Sequence, residues 1–225
     1  MWAKETADFD EYLQWINEPK HLINPVRDVI MFDDAFSEWV SKTPWYRVLI
    51  VWIPIVLWHI YASLQVVGLL ETCFGILTGL AMWTFAEYML HRFLFHGEGL
   101  WLPRHPKFIA AHFMFHGIHH AFPMDQYRLV FPPHLSLLLW FCMVKPAAGL
   151  VTAADYVNCV GAGIQIGYMA YDMIHYWTHH AELNCSHLKS MKRYHMLHHY
   201  RNGEIGFGVS NKFWDYVFKT EIPDA

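Results

Sequence analysis

The chain has 225 residues, 55% of them apolar and only 16% charged, against roughly 25% charged in a soluble domain. Its net charge of −4 gives no basic field for phosphate, so the composition excludes a nucleic-acid binder, a disordered chain and a small disulfide scaffold. The 17 histidines outnumber the 16 lysines and arginines together, which in so apolar a chain points to metal.

Residues 1–46 carry nine acidic and four basic side chains, punctuated by Trp15, Ile16, Leu22, Ile23, Val29, Ile30, Phe32 and Phe36. They read as a polar segment of short amphipathic helices on a membrane face. Their acidic start does not resemble a secretory signal. Residues 48–70 contain no Asp, Glu, Lys or Arg, and a bilayer needs about 20 apolar residues. Glu71 marks a turn, and residues 72–90 make a second span, interrupted by Glu87. Pro132 and Pro133 stop any helix arriving from the preceding segment. Residues 135–149, with Lys145 and Pro146, and 156–176, with Asp172, complete a second hairpin whose far end holds Lys145 and Asp155. Gly161, Gly163 and Gly167 lie inside an apolar span with no strand before them, so they read as close helix packing rather than a dinucleotide loop. Cys73, Cys142 and Cys159, in apolar stretches, are expected to be reduced and buried; Cys185 reads as a loop thiol. The expected architecture is all-α and multi-pass, with about four transmembrane helices in two hairpins. These belong to a membrane-embedded domain of residues 47–225, capped by a cytosolic helical layer. Arg92, Arg104, Lys107 and Arg128 follow the first hairpin. Lys189, Lys192, Arg193 and Arg201 follow the second, and the positive-inside rule puts both groups in the cytosol.

The histidines cluster in those two polar segments. His91 and His96 precede His116, His119 and His120; His175 and His179 precede His195, His198 and His199. A hairpin, a spaced pair and an HxxHH motif thus occur twice, as in an internal repeat whose halves each offer five imidazoles. Residues three and four apart share a helix face, so HxxHH is expected to aim its first, fourth and fifth residues one way. His91 and His96, five apart, need a helix end or a local distortion. Ten clustered imidazoles would repel and strand their nitrogens unless a cation organised them, and two five-coordinate sites would absorb all ten. His59 and His21 read as ordinary satisfied histidines. His105, His134 and His187 carry no clear role, while His112 and His180 are placed to orient ligands or relay protons. Glu87, four residues before His91, and Asp172, three before His175, are candidate acceptors for the second ring N–H of a metal-bound imidazole.

At these residues the chain resembles the membrane fatty acid hydroxylase superfamily, and within it the sphingolipid alpha-hydroxylases. The similar segments are EYMLHRFLFH (87–96), HGIHH (116–120), RLVFPP (128–133), YDMIHYWTHH (171–180), YHMLHH (194–199) and GFGVSNKFWDYVFKT (206–220), with SKTPWYRV (41–48) at the entry to the first span. The resemblance covers about residues 12–220. It implies ten metal ligands, His91, His96, His116, His119, His120, His175, His179, His195, His198 and His199. They would hold two metal ions, iron in turnover, with zinc able to occupy the same imidazoles. It also implies O2-dependent hydroxylation at C2 of fatty acids or ceramide acyl chains, in the endoplasmic reticulum membrane with the site facing the cytosol. Tyr171 and Asp172 match positions near the substrate. Many relatives fuse an N-terminal cytochrome b5 domain with an HPGG haem motif; this sequence has no such motif, so the chain is either a fragment of a fused protein or a member without the fusion, and a separate cytochrome b5 and its reductase are the expected electron source. The competing readings are a sterol or carotenoid oxidase of the same superfamily and a non-catalytic metal transporter or sensor.

Overall fold

A computed structural model describes residues 9–21, 29–98 and 100–223; Leu22 and Ile23 lie outside them. Among the described residues all regular secondary structure is helical. Helix α1 (Phe9–Ile16) buries Phe9, Tyr12 and Ile16, and α2 (Ala35–Ser41) begins at Asp34, whose carboxylate accepts from the Ser37 N–H. Ile30 and Phe36 stay exposed. Helix α3 (Tyr46–Leu64) and α4 (Gly68–Met89) form the first hairpin. Their turn lies at residues 65–67, earlier than expected. Gly68 adopts φ +80, which a residue without a Cβ reaches without strain. Glu71 instead occupies the first turn of α4, where the helix dipole favours a carboxylate.

Helix α4 continues into a π-helical turn, Leu90–Phe95. After α5 (Pro106–His112), another π turn (Phe113–Gly117) leads into α6 (Ile118–Ala121). The second hairpin descends through α7 (Pro133–Leu139), a π turn (Trp140–Val144) and α8 (Lys145–Val151). It returns through α9 (Val157–His180). Helices α10 (Ser186–Tyr200) and α11 (Phe213–Phe218) close the chain.

Among the described residues three helices are long and apolar enough to cross a membrane: Tyr46–Leu64, Gly68–Phe95 and Pro133–Leu150. The fourth expected span corresponds to α9. At 24 residues it is long enough, but its Gln165, Asp172, glycines and histidines dilute its hydropathy. Protein, rather than apolar sequence, surrounds it: α4 and α3 pack along it, and Gln165 and Asp172 are buried. Helices α4 and α9 run parallel, with Gly75 against Cys159, Gly79 against Gly163 and Trp83 against Gly167. A methyl group on Gly79 would meet the Val160 carbonyl, and one on Gly163 the Ile76 carbonyl, so the backbones touch. Beside this seam, Val48, Trp52 and Val56 of α3 pack with Trp140, Tyr168, Met169 and Met173. Among the cysteines only Cys159 is buried. Cys73 and Cys142 are exposed on the outer faces of apolar helices, because apolar sequence in a span marks contact with lipid as well as with protein. All four are free thiols.

Candidate metal centre

Because α4 and α9 are parallel, the histidines at their C-terminal ends arrive together, and α5, α6 and α10 bring the rest to the same end. His91 and His96 are aligned by the π turn: the His96 N–H bonds to the His91 carbonyl at 3.0 Å, and an i→i+5 bond stacks residues five apart. All ten expected histidines are buried and fall into two groups of five. One is His91, His96, His116, His120 and His198; the other is His119, His175, His179, His195 and His199. Within each group the potential donor atoms lie within 4.8 Å of one another.

The partition differs from the sequence expectation in one respect. Each half of the chain lends a histidine to the other's group, His119 in one direction and His198 in the other. In HxxHH the first and fifth residues stay together, while the fourth, about 100° around the helix from the fifth, faces the neighbouring group. The two groups share a wall, with the His120 and His199 rings 4.4 Å apart.

The tautomers argue for cations. The Nδ1–H groups of His91, His175 and His198 donate to the carbonyls of Phe207 (2.5 Å), Leu129 (3.1 Å) and Ile205 (2.8 Å). His96 Nδ1–H donates to Glu98 Oε1 at 3.2 Å. Each of these four rings then turns an Nε2 lone pair inward. The His96 and His198 Nε2 atoms stand 3.1 Å apart, so two lone pairs face each other. Nε2 pairs elsewhere are 2.9 to 3.1 Å apart. Neutral lone pairs this close repel unless a cation between them draws the rings together. Burial, then repulsion from neighbouring rings, holds His116, His119, His120, His195 and His199 well below the ordinary imidazole value. The same causes push His198 down to about 3. These six rings favour the neutral form, and the donor set of both groups fits two divalent ions of the imidazole-loving kind.

Neither anticipated carboxylate touches its histidine. Glu87 accepts from the N–H groups of Val209 (3.0 Å) and Ser210 (2.7 Å) and from the Ser210 hydroxyl (2.5 Å). Asp215 accepts from the Phe207 and Gly208 N–H groups at 2.9 and 2.7 Å. Together they pin the loop whose Phe207 carbonyl orients His91. Asp172 accepts from the Phe131 N–H at 3.2 Å, fixing the segment whose Leu129 carbonyl orients His175. These loops are the GFG and RLVFPP segments. Tyr171 stacks on His175, ring centroids 5.8 Å apart.

Of the histidines outside the ten, His112 does orient the site. Its Nε2 faces the Phe95 carbonyl (2.7 Å) and Glu98 Oε2 (3.1 Å), and its Nδ1 meets the Tyr12 hydroxyl at 2.6 Å. Burial opposes charge on Glu98, but the hydrogen bonds from His112 and His96 overcome it and hold the carboxyl well below its usual range. His180 is tilted against Tyr176, His134 stacks on Trp39 and His21 on Tyr200; His59 lies against Trp140. His105 caps α5 and His187 meets the Ser210 carbonyl. Sequence reasoning misses Glu98, Tyr12 and Asp215. Glu98 sits two residues after His96 in a turn that follows Gly97, where no helical spacing announces it.

A cavity of about 410 Å³ leads away from the histidines between the apolar helices. Trp52, Trp83, Phe95 and Leu135 line its length. His116 of one group and His119 and His175 of the other line it too, beside Tyr171 and Asp172.

The family model described as fatty acid hydroxylase matches residues 76–220. The chain is 40% identical to the ceramide very long chain fatty acid hydroxylase of Saccharomyces cerevisiae, an alignment covering 97% of this chain and 56% of the yeast protein. It is 36% identical to a dihydroceramide fatty acyl 2-hydroxylase of Arabidopsis thaliana, covering 94% of this chain and 86% of the plant protein. The solved structure of full-length scs7p, with only the hydroxylase domain visible, superposes with a TM-score of 0.90 at 37% identity. That match covers 99% of this chain and 83% of the solved one. The chain therefore spans little more than half the length of the yeast relative.

Proposed function

The chain belongs to the fatty acid hydroxylase family, and from that premise we propose that it hydroxylates C2 of a fatty acid or of the acyl chain of a ceramide. The observation that carries this reading is the cavity: an apolar slot ends on histidines from both groups. The ten histidines would hold two metal ions. Iron, when bound there, supplies the redox chemistry with O2 that an unactivated C–H bond requires and no side chain offers; zinc occupies the same donors without that chemistry. Tryptophans and leucines along the slot exclude water and hold an alkyl chain. Tyr171 and Asp172 flank the position of its polar end. The Leu129, Ile205 and Phe207 carbonyls act on the rings, holding His175, His198 and His91 with Nε2 inward.

The same reading makes α9 the fourth crossing, shielded from lipid by α3 and α4. It places the histidine end at the cytosolic face of the endoplasmic reticulum, with α1 and α2 beside it. A cytochrome b5 and its reductase deliver the electrons. The test is mass spectrometry of ceramide acyl chains from cells lacking their own 2-hydroxylase, expressing this chain or its His119→Ala form with cytochrome b5. The expected result is 2-hydroxy acyl species from the chain and none from the variant, whose purified protein also loses bound metal. No 2-hydroxy product from folded, iron-loaded protein would sink the reading; sterol or carotenoid products, or zinc transport, would replace it.

A further inference from the structure

The two histidine groups have unlike surroundings. In the group of His91, His96, His116, His120 and His198, three outward Nδ1 atoms have acceptors: the Phe207 carbonyl, the Ile205 carbonyl and the Glu98 carboxylate. In the other group His175 has the Leu129 carbonyl. The Nδ1 atoms of its remaining members, His119, His179, His195 and His199, are buried without a partner among the described residues.

Glu98 is also held in place. Its second oxygen accepts from His112, which accepts in turn from the Tyr12 hydroxyl of α1, a side chain only 2% exposed. The carboxylate cannot swing away from His96 without breaking this chain of bonds. An imidazole that donates to a carboxylate carries more electron density on its other nitrogen and is a stronger metal ligand than one with no acceptor.

We propose that Glu98, acting through His96, makes the two metal positions inequivalent, so that the His96 group binds its ion more tightly and fills first. This rests on the reading that the ten histidines hold two metals. Glu98 is here a positioning residue.

Cobalt(II) is the probe. The metal-free 225-residue chain in detergent is titrated, following bound cobalt by dialysis and its visible absorption. Two equivalents are expected in two resolved steps. Glu98→Gln, which keeps the shape but loses the charge, is expected to weaken the tighter step by about 10–100-fold. It should shift that ion's absorption band and leave the weaker step unchanged, while Glu98→Asp restores part of the difference. Should Glu98→Gln not fold, Tyr12→Phe, which frees His112 but leaves the carboxylate, is expected to weaken the same step by a smaller factor. Two equivalents bound with equal affinity by the unaltered chain would overturn the proposal. So would variants that shift both steps alike or neither. Binding of fewer than two equivalents by the unaltered chain would instead overturn the two-metal reading beneath it.

Discussion

Replacing Glu87 by alanine strands the buried Val209 N–H and the half-buried Ser210 N–H and hydroxyl. Each stranded group costs about 1–3 kcal/mol. The loop carrying the Phe207 carbonyl would loosen, and His91 with it. Glu87→Ala is therefore expected to lower the melting temperature and the metal content together, with Glu87→Gln, which retains one accepting oxygen, intermediate. Metal analysis beside thermal melting checks this, and a normal metal content in Glu87→Ala would refute the route through Phe207. Protons compete for the same imidazoles. His116, His119, His120, His195, His198 and His199 all have folded values below the ordinary 6.5, so between the two values the unfolded chain binds more protons. Their contribution to stability is complete above about pH 6.5 and declines as pH falls toward the folded values. Bound metal and melting temperature are expected to hold steady above neutrality and to fall together below about pH 6.5. A chelator added at neutral pH should reproduce the low-pH melting temperature more closely than the neutral one.

The helices show which sequence signals translate directly. Long stretches with few charges form α3, α4 and the α7–α8 arm because a run of apolar residues with good helix formers has few other ways to satisfy its backbone in lipid. The glycines of α9 are legible as packing positions, and the fold gives Gly163 its partner, Gly79 of α4. Gly163→Val is expected to force the two backbones apart and destabilise the chain by about 1–3 kcal/mol. Gly149, with nothing within 4 Å of where a Cβ would stand, should tolerate alanine in the same melting assay. The five-residue spacing of His91 and His96 signals a distortion, and a π turn supplies it. The turn between α3 and α4 is harder to place, because the charge on Glu71 suggests a boundary that the helix does not respect. Backbone freedom at Gly68 decides it instead.

Across the whole molecule, Val29 and α2 are joined to the histidine-bearing end through Arg128. Its guanidinium, 1% exposed, pairs with Asp125 at 2.6 Å and with Glu38 of α2 at 2.7 Å, and donates to the Val29 carbonyl at 3.0 Å. Phe32 and Met31 N–H groups also donate to Glu38, and these bonds with Lys42 and Arg128 outweigh burial to hold its carboxyl down to about 2. Removing one member of a buried ion pair leaves the others uncompensated, at about 3–5 kcal/mol. Arg128→Met is expected to lose stability on that order and to loosen the Leu129 carbonyl that orients His175. Denaturant unfolding measures the first, and metal content the second.

Composition and spacing alone determine the all-α membrane architecture and the clustering of the ten histidines, because helical periodicity and apolar runs are local properties of the chain; the segments around them are singled out by the family resemblance. Tertiary structure decides how those ten histidines divide. The exchange of His119 and His198 between groups depends on how α6 and α10 face each other, and no spacing within either helix contains that. It also decides what holds the rings, since Glu98, the Phe207 loop and the Leu129 carbonyl are fixed against their histidines only after distant segments have packed together.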